Sequence, residues 1–122
     1  MMFHVFCLKG FPVGLDNAAQ GSGVKGKPAG MSGIKAPQLW QRGEYQAVLD
    51  YVAQDVRTTL QLALVCERNK SLRWLTRKGT RSECALPSGW LAVEHAMRLP
   101  TPDTSWMDKP MSRAHFTGWL GD

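Results

Sequence analysis

The stretch that most constrains the fold runs from Tyr45 to Leu64, because its apolar residues repeat with helical spacing. Recurrence at three- and four-residue steps places side chains along one side of a helix. The residues that recur in this way are Val48, Val52, Val56, Leu60 and Ala63. The pattern predicts one long amphipathic central helix over residues 45–64.

Two polar side chains lie within this helix at a spacing that can carry chemistry. Tyr51 and Asp55 are four residues apart, so both lie on the same helical face, one turn from each other. A carboxylate beside an apolar stripe, with a phenol one turn away, can bind a hard divalent cation and position a water. The same spacing also fits a tyrosine at the edge of a core beside a solvated acid, so the spacing alone leaves both interpretations open.

The residues around this pair follow a specific order along the chain. They are Lys25-Gly26-Lys27, Gly30-Met31-Ser32-Gly33, Leu39-Trp40, Gly43, Tyr51, Asp55-Val56 and Thr59. Together they resemble the last sequence block of the four-carboxylate 3′–5′ exonucleases of the ribonuclease H-like superfamily. More narrowly, they resemble the tyrosine-containing subclass, near the exonuclease domains related to family-B DNA polymerases. The resemblance covers about residues 12–65 and is weaker beyond them.

The resemblance implies a role for each of the two polar residues. Asp55 would be the last of four acidic ligands for Mg²⁺ or Mn²⁺. Tyr51 would orient the water that hydrolyses a terminal phosphodiester. The implied substrate is the 3′ end of single-stranded DNA or RNA.

The other three carboxylates of that family are not found in this sequence. The family places an Asp-x-Glu pair on its first strand, whereas this chain has no Asp-x-Glu and only Asp16 precedes Glu44. Asp50 is five residues from Asp55 and so points well away from it around the helix. Two-metal hydrolysis needs several oxygens around ions ~3.5–4 Å apart. We therefore expect a mostly helical α+β domain with one β-hairpin, a partial ribonuclease H-like domain over residues 1–122 that lacks its N-terminal catalytic strands and does not hydrolyse alone.

A glycine-rich loop is expected over residues 21–36, with Lys25, Lys27 and Lys35 among its five glycines. Glycines let a backbone approach phosphates, and lysines neutralise them, so the loop can face a nucleic acid. A solvated connection between two helices would have the same composition. Both interpretations stay open.

A second basic stretch follows the central helix. Alternating residues predict a β-hairpin over 72–77 and 81–86. Arg73 and Arg77, interleaved with Trp74, could hold a single strand by charge and base stacking. Basic residues at hairpin edges also protect against aggregation, which is the alternative explanation.

The remaining segments predict short helices. We expect them over residues 15–20, 37–41, 89–99 and 110–120, with a short strand at 3–7. In the helix at residues 37–41, Trp40 would anchor the core. In the helix at residues 89–99, the side that packs in the core would carry Trp90, Val93 and Met97.

Composition limits the class of protein and of partner. The chain has 122 residues with 43% hydrophobic and 20% charged residues, which suits one globular domain. The net charge of +5 suits a polyanionic partner. Its three cysteines cannot all pair, which favours a reducing, cytoplasmic location. No apolar run approaches the ~18 residues of a membrane span.

Two further functions remain open beside the exonuclease-related one. A nucleic-acid-binding module without catalysis would depend on the net charge and the basic stretches. A self-associating interaction domain would bury the apolar face of residues 45–64, which a domain lacking its sheet leaves uncovered.

Overall fold

The computed structural model describes residues 13–26 and 33–120, and the chain forms two compact units. The first unit spans Gly14–Trp90, and the second contains residues 91–120 of the described part. The predicted strand at residues 3–7 and Lys27 lie outside the described residues. None of the helices in the described part combines the length and the apolar character that a membrane crossing requires.

The first unit contains three helices followed by a hairpin. The elements in chain order are α1 (Leu15–Gly21), α2 (Ala36–Gln41), α3 (Tyr45–Asn69), β1 (Ser71–Leu75) and β2 (Arg81–Ala85). Gly43, at φ +79, separates α2 from α3, as the sequence predicted.

Helix α3 has 25 residues and is about 37 Å long. It extends five residues past the predicted end at residue 64, because no glycine or proline interrupts the chain before residue 70. Lys70 then adopts a left-handed conformation with φ 50, which ends the helix and turns the chain into β1.

The β-hairpin is confirmed close to its predicted position. Strands β1 and β2 pair antiparallel, with Ser71 opposite Ala85 and Leu75 opposite Arg81. Gly79 supplies the positive φ of the connecting turn. The resulting fold is α+β, mostly helical with one hairpin.

The core of the first unit lies where α1 and α3 pack on β1. Helix α1 contributes small side chains, Ala18 and Ala19, so its backbone approaches β1 closely. Trp74 of β1 is 1% exposed and is the largest side chain of this core. From α3 the buried residues are Tyr51, Thr58, Leu62 and Cys66.

Helix α3 therefore has two different apolar sides. The buried side follows Tyr51, Thr58 and Leu62, because these residues meet α1 and β1. The periodic valines and leucine recognised in the sequence lie on the other side: Val52, Val56 and Leu60 are exposed. The first unit leaves this second side uncovered.

The second unit is less helical than its sequence predicts. It contains α4 (Val93–Met97), α5 (Ala114–Thr117) and a 3₁₀ turn (Gly118–Leu120). The helix predicted from residue 89 starts late, because Gly89 has φ +69, outside the helical region. The guanidinium of Arg113 donates to the carbonyls of Met97 and Leu99 and so satisfies the end of α4.

The predicted burial around α4 is wrong. Trp90 is 41% exposed, Val93 60% and Met97 43%. A helix of five residues has too short a face to bury these side chains, so helical spacing here does not define a core.

Candidate functional site

Tyr51 and Asp55 lie one turn apart on the side of α3 that faces the core. Tyr51 is buried and Asp55 is half-buried. Asp50, by contrast, is exposed on another side of the helix, where its carboxylate accepts a hydrogen bond from Gln46 at 2.8 Å. The two aspartates therefore face different surroundings.

One carboxylate oxygen of Asp55 has an unusual environment. Within the described residues, Oδ1 of Asp55 is buried and accepts no hydrogen bond. Burying a carboxylate oxygen without a hydrogen bond costs free energy of folding, so its presence calls for a structural or functional reason. The nearby Thr59 hydroxyl does not supply one, because it donates to the backbone carbonyl of Asp55 at 2.8 Å.

The glycine-rich loop meets α3 on both sides of Asp55. Before the gap in the described residues, the hydroxyl of Thr58 donates to the carbonyl of Lys25 at 3.4 Å. After the gap, a Cβ atom at Gly33 would lie 3.6 Å from the Tyr51 hydroxyl. The two described ends of the loop therefore bracket the face that carries Asp55.

The first end of the loop is also held by α1. The amide of Val24 donates to the carbonyl of Ala19 at 2.8 Å, which folds the chain back over the end of the helix. Lys25 follows directly and its side chain is exposed, as is that of Lys35 at the other end. The two lysines therefore lie at or close to the loop positions that meet α3: Lys25 is itself one of them, and Lys35 follows Gly33 by two residues.

The described residues do not hold a divalent metal by themselves. No group of three or more His, Cys, Asp or Glu side chains is close enough to share an ion anywhere in the described ranges. Asp55 offers one carboxylate, whereas Mg²⁺ prefers six oxygen ligands in near-octahedral geometry. The donor set therefore fits Mg²⁺ or Mn²⁺ only if further oxygens come from elsewhere.

The hairpin does not form the stacking surface that its sequence suggested. Trp74 is buried, so its ring is not available to a base, and that interpretation is wrong. Arg73 forms an ion pair with Glu83, with Nε and Oε2 at 3.1 Å. Arg77 lies exposed in the turn that follows β1.

Trp40 lies differently from its prediction, and the role of Thr58 was not predicted. Trp40 is 53% exposed and packs edge-on against Tyr45, with ring centroids 4.6 Å apart, so its predicted role as a core anchor is wrong. Thr58 is 1% exposed and joins the helix to the loop. Its position three residues after Asp55 places it on the same face, and this spacing was the signal that could have identified it.

Comparison with known proteins supports the family seen in the residues. A family model matches residues 6–99, and it describes a predicted 3′–5′ exonuclease related to the exonuclease domain of PolB. No curated protein and no solved structure matches the chain. The family match spans more than half of the 122 residues and includes α1, the loop, α3 and the hairpin. The chain therefore belongs to the family of predicted 3′–5′ exonucleases related to the PolB exonuclease domain.

Proposed function

We propose that this chain binds the 3′ end of single-stranded DNA or RNA on the face formed by Tyr51, Asp55 and the glycine-rich loop. The observation that carries this proposal is the contact of both described loop ends with α3 on either side of Asp55. That arrangement sets two loop lysines near the buried Tyr51 and the half-buried Asp55, on an exonuclease-related fold.

Phosphate contacts supply most of the expected affinity. Lys25 and Lys35 are exposed near the site, and the chain carries a net charge of +5. Each neutralised phosphate makes binding more sensitive to salt.

Hydrolysis is not assigned to this chain alone. Mg²⁺ or Mn²⁺ would need Asp55 together with substrate oxygens and carboxylates from outside the described residues. A second chain would have to supply them, because Asp122 is the only acidic residue of the sequence outside the described ranges. The proposed activity of the isolated chain is therefore binding of a strand end without cleavage.

The proposal is tested by fluorescence anisotropy with a 5′-labelled single strand that has a free 3′ end. Lys25→Ala combined with Lys35→Ala is expected to weaken binding by about tenfold. The slope of the logarithm of the binding constant against the logarithm of the salt concentration should become shallower by about 1.4. The matched control is Arg98→Ala combined with Lys109→Ala, which removes the same charge from exposed positions in the other unit. Equal losses in the two pairs would contradict a site at the loop.

A second readout separates binding from cleavage. With a 3′-labelled strand and Mn²⁺, we expect no release of nucleotide above that of the Asp55→Ala variant. Release by the wild type that disappears in Asp55→Ala would show a working metal site and contradict the assignment.

The hairpin offers a second candidate surface, supported by the exposed Arg77. If that surface binds the strand, changing Arg73 and Arg77 to alanine would weaken binding while Asp55→Ala and the loop variants would not. The ion pair between Arg73 and Glu83 favours the loop instead, because it already compensates one of the two arginine charges.

A further inference from the structure

A continuous apolar stripe runs along the uncovered side of α3. Its members recur every three or four residues and are each about half exposed: Tyr45 51%, Leu49 55%, Val52 49%, Val56 62%, Leu60 60% and Leu64 58%. From first to last the stripe is about 28 Å long, since a helix rises 1.5 Å per residue. Large side chains in one contiguous row are a mark of an interaction surface.

Fixed aromatic rings lie at both ends of this apolar stripe. At one end Trp40 packs edge-on against Tyr45. At the other end the indole Nε1 of Trp90 donates to the carbonyl of Ala63 at 2.8 Å, and its backbone amide donates to Glu67 at 2.7 Å. Both indoles are held in place while about half exposed, and tryptophan and tyrosine dominate the binding energy of protein interfaces.

Charged residues beside the apolar stripe have a self-complementary arrangement. Asp50 and Arg57 are exposed, opposite in sign and seven residues apart. Seven residues are about two helical turns, so both lie on the same flank of the stripe. In an antiparallel helix pair related by a two-fold axis, the same flanks meet and each contact occurs twice. Asp50 of one copy would then face Arg57 of the other.

The register set by these charges agrees with the extent of the stripe. Pairing Asp50 with Arg57 places the two-fold axis between residues 53 and 54 of α3. The midpoint of the stripe, which runs from Tyr45 to Leu64, lies between residues 54 and 55. One register therefore pairs the charges and overlaps nearly the whole length of both stripes.

We propose that the occupant of the apolar stripe is a second copy of this chain, bound through an antiparallel α3–α3 contact with Asp50 and Arg57 paired across the two-fold axis. A stripe of this length and about 10 Å wide offers roughly 300 Å² per copy before the flanking tryptophans are counted. Interfaces of this size belong to the small, reversible class, so the dimer is expected to be concentration-dependent.

Sedimentation equilibrium of the full chain, over about a hundredfold range of concentration, measures this association. The wild type is expected to pass from monomer to dimer within that range. Val56→Asp places a charge in the middle of the stripe and should weaken association by about a hundredfold. It should still fold, because Val56 is exposed. The control Asn17→Asp adds the same charge at an exposed position of α1, outside the stripe and its flanks, and should have little effect.

Charge reversal tests the register itself. Asp50→Arg or Arg57→Asp alone creates two like-charge pairs in the dimer and should weaken it by about tenfold. The double reversal should restore association to within about twofold of the wild type. Residues seven apart do not touch within one helix, so this restoration can come only from the partner copy. A wild type that stays monomeric, a Val56→Asp variant that still dimerises, or a double reversal that restores nothing would each overturn the proposal.

Discussion

Gly21 of α1 lies directly against the backbone of Trp74 in β1, and a Cβ atom at position 21 would overlap the N, Cα and C atoms of Trp74. Trp74 is 1% exposed, so neither element has room to move apart without opening the core. The absence of a side chain at residue 21 is what lets α1 pack on the hairpin.

Gly21→Ala is expected to destabilise the fold by about 2–3 kcal/mol, because overpacking against backbone cannot be relieved by a rotamer change. The higher helix propensity of alanine would by itself stabilise α1 by about 1 kcal/mol. A loss of stability would therefore show that the overlap with Trp74 outweighs the helix propensity. Urea unfolding measures it. Gly118→Ala is the control, since nothing lies within 4 Å of a Cβ there, and it should change stability by less than about 0.5 kcal/mol.

Thr58 and Thr59 are neighbours with different tasks. The Thr58 hydroxyl donates to the carbonyl of Lys25, whereas Thr59 bonds back to the carbonyl of Asp55 in its own helix. Thr58→Val should cost about 1 kcal/mol and weaken single-strand binding by about threefold, because the loop loses its tie to α3. Thr59→Val should leave binding unchanged. Equal effects of the two substitutions on binding would argue against the loop as part of the site.

Glu67 is expected to make stability depend on pH in the acid range. A hydrogen bond from the Lys70 ammonium, followed by one from the Trp90 amide, lowers the pKa of the Glu67 carboxyl. A carboxyl group whose pKa is lowered in the folded state contributes its full stabilisation at pH values above its pKa in the unfolded state, about 4.3. That stabilisation is lost as the pH falls through the pKa of the folded state. Thermal unfolding of Glu67→Gln should therefore show lower stability than the wild type at neutral pH and the same stability once Glu67 of the wild type is fully protonated. A constant difference at all pH values would contradict this origin.

Cys66 should be unreactive while the chain is folded. It is fully buried, and burial raises the pKa of its thiol, so little thiolate is available to attack a disulfide reagent. In a Cys7→Ser, Cys84→Ser variant, the remaining thiol should react at least about a hundredfold more slowly in buffer than in denaturant. Similar rates in the two conditions would show that the α3 core opens freely.

The elements that local sequence signals determine could be predicted from the sequence. The glycine before α3, the alternating residues of the hairpin and the periodicity of residues 45–64 each gave the correct element. Helix α3 ran longer because nothing before Lys70 interrupts it, and α4 was shorter because Gly89 adopts a positive φ. Both differences come from backbone conformation at single residues.

The choice of which helical face is buried could not be predicted in the same way. Helix α3 has apolar side chains on two sides, and only the position of α1 and β1 decides that Leu62 is buried and Leu60 exposed. The candidate site divides similarly. The spacing of Tyr51 and Asp55 placed them on one face, whereas the contact of Thr58 with Lys25 joins residues 33 apart and leaves no local signal.

Photocrosslinking can locate the bound strand end on the protein, with a single strand that carries a photoreactive nucleotide at its 3′ end and mapping of the crosslinked tryptic peptides. We expect crosslinks in residues 43–57, the peptide that contains Tyr51 and Asp55. These crosslinks should be lost when Lys25 and Lys35 are changed to alanine. Crosslinks confined to residues 71–85, the hairpin, would contradict the proposed site, because the strand end would then lie on a different surface.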